Sequence, residues 1–464
     1  MKKMICMKKM ICLMVVALAA CAVRSQGACP DMDQIERGIR ASDEAVAAAQ
    51  ARLKDRVRLT DYRSLVRVVE GTNVWTDALQ AAVRDHEIVV IPAADEPYFM
   101  DGTVVVPSHR RIEATGATIA LKRPMKTVLL RNAGAQDGTF APVDRTKGDE
   151  NIAVCGGRWV DWRTGRAGYG ASGAWKAKSH DYAPGEYFGV SAMMYFGTAR
   201  NLTFRDLEFV HVSSFCIQLG DVEGVRCDSI VFNRCNADGI HANGGCRFVH
   251  ASRLSGWNGD DLFALNAYDW RNSSVNFGPS ENILVEDVTN ESGSGWLRLL
   301  PGYYAYRDAG VVDCAIRNVI LRRFSGISNY KMYIQTPPYR LGTYPEWTAP
   351  GSLDNVHFVA IKGGSFEICS NSDGIWFHDM DFQRARQVGV GPLALCSKRG
   401  EPPHQTDWEV FDPWACCRVK KLTFVNCTCR SGAIKDVVHT WAFDNRNRDG
   451  HSSGRGQVDE IVVR

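Results

Sequence analysis

The sequence is short of three things, and each shortage removes a class of protein. It has no dominant charge: 55 Lys and Arg against 52 Asp and Glu leave a formal net charge of +3 over 464 residues. So weak a field marks neither a nucleic-acid footprint nor a polybasic membrane patch. It has no zinc-ligand spacing, because its cysteines are scattered and have no matching histidines. It has no permanent membrane span, since the leading apolar run Met10–Ala20 is too short for one. What is present is ordinary: 45% hydrophobic and 23% charged residues, enough for a sizeable core and incompatible with disorder or collagen as the main state.

Lys2, Lys3, Lys8 and Lys9 precede that apolar run, the layout of an export signal. The hexapeptide Met1–Cys6 repeats as Met7–Cys12, which makes Met7 a candidate initiator. Leu18-Ala19-Ala20-Cys21 resembles the lipobox of bacterial lipoproteins, in which the cysteine is acylated. The resemblance implies a lipid anchor at Cys21 and an exported location: periplasm, outer membrane or cell surface. Ordinary signal-peptidase cleavage after Ala20 or Ala22 is the alternative. Of the thirteen cysteines beyond Cys21, several hold apolar strand positions. Buried thiols are the commoner reading there, and no disulfide pairing is assigned.

Residues 31–70 are assigned to an amphipathic helical segment. Ile35, Ile39, Val46, Leu53 and Val57 recur at spacings of four and seven, predicting a helix from Asp33 to about Leu65. A short helix over Thr76–Val83 then leads into a strand at Ile88–Pro92, with a strand-rich stretch over Tyr98–Val106. This opening resembles the N-terminal cap of pectate-lyase-superfamily β-helices, where a helix covers the open end of the coil stack.

Downstream a loose frame returns: Asn or Gly, an aliphatic residue, any residue, then usually an apolar one. It starts at Asn151, Asn201, Gly224, Gly245, Asn282, Asn318, Asn355, Gly374 and, with Lys, at Lys421. From Asn201 onward the steps are 23, 21, 37, 36, 37, 19 and 47 residues, as expected of single coils interspersed with coils carrying insertions. Strands alternate with turns and not with regular helices, which favours a β-solenoid over a barrel of βα units. The expected fold is therefore all-β over residues 71–464: a single-stranded, right-handed parallel β-helix with an N-terminal helical cap.

The candidate catalytic residues are Asp238, Asp260 and Asp261. Asp238 lies 14 residues beyond Gly224, and the acidic pair lies 15 and 16 beyond Gly245, so all three fall on one strand line of consecutive rungs about 4.8 Å apart. Asp238 and Asp261 share parity, while Asp260 needs a bend or bulge to join them. Gly239 and Gly259 flank the trio and supply a place for it. Crowded carboxylates raise one another's pKa values and can separate an acid from a base, as glycoside hydrolysis requires. Asp-Gly pairs also mark plain turns, and Asp373-Gly374, at a coil start, is read as one.

Asn236-Ala237-Asp238-Gly239-Ile240 followed by Gly259-Asp260-Asp261-Leu262-Phe263-Ala264-Leu265 resembles the paired signature of glycoside hydrolase family 28, the polygalacturonases and their relatives. The resemblance runs over about residues 72–335. It implies that Asp260 protonates the leaving oxygen while Asp238 and Asp261 activate water, an inverting mechanism with carboxyl groups about 6.5–9.5 Å apart. Two family motifs have changed: Gly-His-Gly falls on Gly293-Ser294-Gly295, and Arg-any-Lys on Asn329-Tyr330-Lys331. Arg298 and the retained Lys331 are the candidate substrate-binding cations, Arg298 being equally readable as an exposed solenoid arginine. His241, where the family usually has another acid, is a candidate for tuning Asp238 or touching sugar. Trp296 and Tyr303, with Trp257, Tyr304 and Tyr306, are candidate sugar-stacking rings, although for each one separately packing is the commoner reading.

The function expected is hydrolysis of a polysaccharide or oligosaccharide, pectic ones included, with a carbohydrate substrate and no nucleic acid, cofactor or metal. Two other classes compete: a polysaccharide lyase using the three acids to hold Ca²⁺, and a carbohydrate-binding or adhesive β-helix without catalysis.

Overall fold

The computed structural model describes residues 31–122, 128–138, 141–161, 192–269, 274–291, 295–306, 310–334, 352–391, 417–441 and 455–464. The chain divides into a leading unit, Met1–Asp31, and a second, Met32–Arg464, which carries everything below. The export signal, Cys21, Cys29, Cys396, Cys416, Gly293 and Ser294 lie outside the described residues.

The second unit is a right-handed parallel β-helix. Each coil lays three short strands onto three stacked sheet faces. On the first face one inward column runs from Val89 through Ile112, Val154, Phe204, Cys227, Ala251, Val285, Leu321, Phe358 and Phe377 to Phe424. Because parallel neighbours stack like on like, the column packs against itself. Phe358, Phe377 and Phe424 lie nearly parallel, with centroids 5.5 and 5.1 Å apart. Cys155, Cys216, Cys227, Cys235, Cys246, Cys314, Cys369 and Cys417 are buried free thiols, core filling as the apolar strand positions suggest.

The repeating Asn of the frame has a backbone reason. Asn151, Asn201, Asn282, Asn318 and Asn355 all take left-handed φ of 56–59°, a conformation Asn tolerates better than other non-glycine residues. Their side chains join up the stack: Asn201 donates to Asn151 at 3.0 Å, Asn318 to Asn282 at 3.2 Å and Asn355 to Asn318 at 3.0 Å. Gly224 takes the same corner at φ 69°. On the next rung the frame is three residues off. The corner falls on Phe248 (φ 51°), not Gly245, since Val225 pairs with Val249. Asp373 is a turn residue as expected, accepting the Asn355 backbone N–H at 3.0 Å.

The long N-terminal helix is shorter than its periodicity predicts, Met32–Ala51. Beyond it the carboxylate of Glu87 takes the backbone N–H groups of Lys54 and Asp55 at 2.6 and 2.9 Å, and Arg56–Arg58 pairs as a strand with Ile88–Val90. Val57 thus belongs to a strand, and Leu59–Leu65 is a 3₁₀ segment. Nor does this helix cover the open end. The cap is the short helix Thr76–Asp85, whose Ala78, Leu79, Ala82 and Val83 are buried in the main core. The long helix lies along the side of the stack. Its Gln50 carbonyl accepts from Arg111, and its other end packs Ile35 and Ile39 on Leu284 and Ile320. Those rungs are six steps apart (Arg111, Ala153, Thr203, Arg226, His250, Leu284, Ile320). Six steps of about 4.8 Å come to ~29 Å, and a helix of 20 residues spans ~30 Å at 1.5 Å per residue. The helix is a lateral strap matched to that length.

Candidate active site

The three acids meet where the second sheet face turns into the third. Asp238 precedes the strand Ile240–Asn243, and Asp261 opens the strand Asp261–Asn266. Ile240 pairs with Phe263, so two places back Asp238 stands opposite Asp261. This alignment depends on a slip of one residue between the preceding strands, where Phe232 pairs with Gly256 but Cys235 with Asn258. Without it, Phe248 as the true corner would put the acids out of step. Asp260 sits with Gly259 on a bend. Both flanking glycines are needed for close approach: a Cβ on Gly239 would lie 2.6 Å from the Leu262 carbonyl oxygen, and one on Gly259 would lie 2.6 Å from that of Asn236.

One carboxylate oxygen from each of Asp238, Asp260 and Asp261 lies within 4.8 Å of the others, and all three residues are buried, at 2%, 8% and 0% exposure. Burial raises the Asp261 carboxyl well above the usual carboxylate range; Arg298 opposes this, and Asp260 and Asp238 add to it. Asp238 is raised by burial and by Asp260, against the pull of His241.

Two cations offset the crowd. Arg298 Nη2 donates to Asp260 Oδ1 at 2.7 Å, and its Nε lies 3.2 Å from Asp261 Oδ2. Arg298 is therefore not an exposed solenoid arginine but a buried counter-ion of the acidic pair. His241 Nδ1 donates to Asp238 Oδ2 at 2.6 Å, its Nε2 lies 3.0 Å from Asp269 Oδ2, and its ring stacks on Phe215 at 4.1 Å. Burial pushes this histidine down, but its two carboxylate neighbours outweigh that and bring it up to about 9. With a guanidinium between Asp260 and Asp261, two members of the trio already have a counter-ion.

Along the outward column of the third face, His241 is followed by Ala264, Arg298, Lys331 and Glu367 on successive rungs. Lys331 Nζ lies 3.8 Å from the Trp296 ring centroid, and Arg298 lies 5.4 Å from it. Trp296, 38% exposed, thus gives a ring face to Lys331. Trp257 is exposed on the strand Arg247–Asn258. Tyr304 stacks on Phe277 at 3.8 Å, which is packing. Tyr303 is on a hairpin opposite Asp313, and its side chain lies outside the described residues, as does that of Tyr306. Sequence reasoning missed Asp269 and Phe215. Asp269 is brought to His241 by chain returning after Asn266, and no spacing rule signals it.

The chain is thus a right-handed parallel β-helix bearing a buried three-carboxylate cluster on one face. No family model and no curated protein matches it. Among solved structures it is similar to a hyperthermoactive exopolygalacturonase from Thermotoga maritima, at 13% identity and TM-score 0.48 over 92% of this chain and 96% of that one. It is also similar to an endo-xylogalacturonan hydrolase from Aspergillus tubingensis (13%, TM-score 0.37, 84% and 88%) and to a surface adhesin of Streptococcus pneumoniae (12%, TM-score 0.35, 88% and 92%).

Proposed function

We propose that this protein hydrolyses glycosidic bonds in a polysaccharide or oligosaccharide, with Asp238, Asp260 and Asp261 as its catalytic residues. The observation that carries the reading is their convergence from two rungs into one buried cluster beside Arg298, Lys331 and Trp296. A fold needs no such cluster, since burying like charges is costly unless they are used. Asp260, the most exposed of the three, is placed to protonate the leaving oxygen, and Asp238 and Asp261 to activate water. The cationic rungs favour a glycan carrying acid groups, pectic ones included. Those same cations also argue against the lyase reading in which the trio holds Ca²⁺, because Arg298 already balances two of its members.

A retaining route competes with this one. Carboxyl groups about 5–5.5 Å apart are usual for retaining enzymes, in which one acid attacks the sugar directly. Proton NMR of the first-formed product decides between them: the inverted anomer is expected, and the retained one would make an acid of the trio a nucleophile. The reading itself is tested by screening the protein against plant and host glycans beside Asp260→Asn. New reducing ends from the parent but not the variant are expected. Equal cleavage by both would remove the site assignment. An unsaturated product absorbing in the ultraviolet would make the protein a lyase, and binding without turnover would make it an adhesive module.

A further inference from the structure

We propose that Asp269 and His241 form a buried positioning relay that fixes the orientation and charge of Asp238, an inference that rests on the hydrolase reading of the site. Asp269, His241 and Asp238 lie in a row, with 3.0 Å and 2.6 Å between the imidazole nitrogens and the two carboxylates. Each member is held from another side. Asn266 Nδ2 donates to Asp269 Oδ2 at 2.9 Å, Phe215 stacks on the imidazole, and the Asp261 backbone N–H points at Asp238 Oδ1 at 3.3 Å. The row is closed to water, as all three residues are at most 3% exposed at the side chain. An imidazole confined between two carboxylates is favoured as the doubly protonated cation.

The surroundings support that charge state. From the preceding rung His241 faces Gln218, and from the following one Ala264, whose small side chain leaves Arg298 as the next charged group along the column. Asp260 and Asp261 are the remaining acids beside Asp238. The Cys216 thiol near Asp238 is pushed well up by burial and is neutral. Asp238 therefore has its Oδ2 committed to His241, while its Oδ1 takes the Asp261 backbone N–H. In the family that this sequence resembles, another acid occupies the position of His241. Here a cation stands there, and Asp269 is the carboxylate that keeps it charged. Asp269 acts through His241 and touches neither sugar nor water.

The test is the nitrogen NMR spectrum of the His241 ring in the full chain at pH 7.5, in the parent and in Asp269→Asn. A doubly protonated ring in the parent and a singly protonated one in the variant are expected. On a cleaved glycan the variant should lose about 10–100-fold in kcat, the range for removing a residue that orients another, with KM unchanged. The alkaline limb of its kcat profile should move to lower pH. A neutral His241 in the parent overturns the relay whether or not the variant folds. Double protonation in both proteins removes Asp269 from it, and a loss confined to KM makes the pair a structural support. If the parent cleaves no glycan, the hydrolase reading fails, and the ring spectra still decide whether Asp269 charges His241.

Discussion

Among the described residues a histidine stands between two carboxylates twice. Under the strap, His250 bridges Asp43 of the long helix at 2.6 Å and Glu286 of the next rung at 3.0 Å. At the acidic cluster, His241 bridges Asp238 and Asp269 at nearly the same distances. In both, burial pulls the imidazole pKa down and the carboxylates pull it up further. The surroundings differ. Glu286 also receives Arg322 and Arg323, and Arg322 reaches Glu36 on the helix, so one of the two acids that hold His250 has two further cations. Asp238 instead stands beside Asp260 and Asp261, with Arg298 as their counter-ion. One triplet ties a helix down with arginines beside it. The other adjoins two further buried carboxylates that share a single arginine. His357, which faces His378 at 3.1 Å, shows what an imidazole does without carboxylates: burial pushes it down to about 3.

The largest expected effect separates the two triplets outright. Asp260→Asn should lower turnover by about 10²–10⁴-fold, the usual worth of a general acid, with the fold intact by circular dichroism. Asp43→Asn should leave turnover at the parent level. Equal losses from both would end the distinction. Stability should rank the histidines the same way. His241→Gln leaves Asp238 and Asp269 buried without their cation and should cost roughly 3–5 kcal/mol in denaturant unfolding. His250→Gln, with arginines nearby to compensate, should cost about 1–2 kcal/mol.

Gly239→Ala probes the backbone behind the buried triplet. Its Cβ would meet the Leu262 carbonyl at 2.6 Å and the Phe232 ring at 2.8 Å, so about 1–3 kcal/mol should be lost through overpacking. Activity should fall with it, because Asp238 is the adjacent residue. The smallest effect is in the pH dependence of the strap. The folded-state pKa of His250 is raised. Its contribution is therefore complete below the unfolded value of about 6.5 and is lost as pH rises through the folded one. Asp43→Asn should cost about 1 kcal/mol at pH 5.5 and less at pH 9, by thermal unfolding at both. A cost that grows with pH would contradict the charged-bridge account.

Much of this was legible beforehand, and the residues show why. The Asn frame could be read because each coil turns at left-handed positions, and at one of them Asn meets that need locally. The acidic pair could be read because its neighbours carry a recognisable pattern. The parity of Asp238 and Asp261 correctly anticipated their facing, although the frame was started at Gly245 where the corner is Phe248. The strap could not be read. Its heptad-like spacing specifies a helix with one apolar face, but not whether that face meets the end of the stack or its side, and the spacing persists through Val57 in a strand.

By itself, then, the sequence determined the coil period, the all-β solenoid and the place of the acids, since these depend on what each residue asks of its own backbone and near neighbours. Only the tertiary structure decided that Arg298 pairs with Asp260 and Asp261, that Asp269 returns to His241, and that a one-residue slip brings Asp238 opposite Asp261. Those facts are set between rungs and by returning chain, where contact depends on register and not on distance along the sequence.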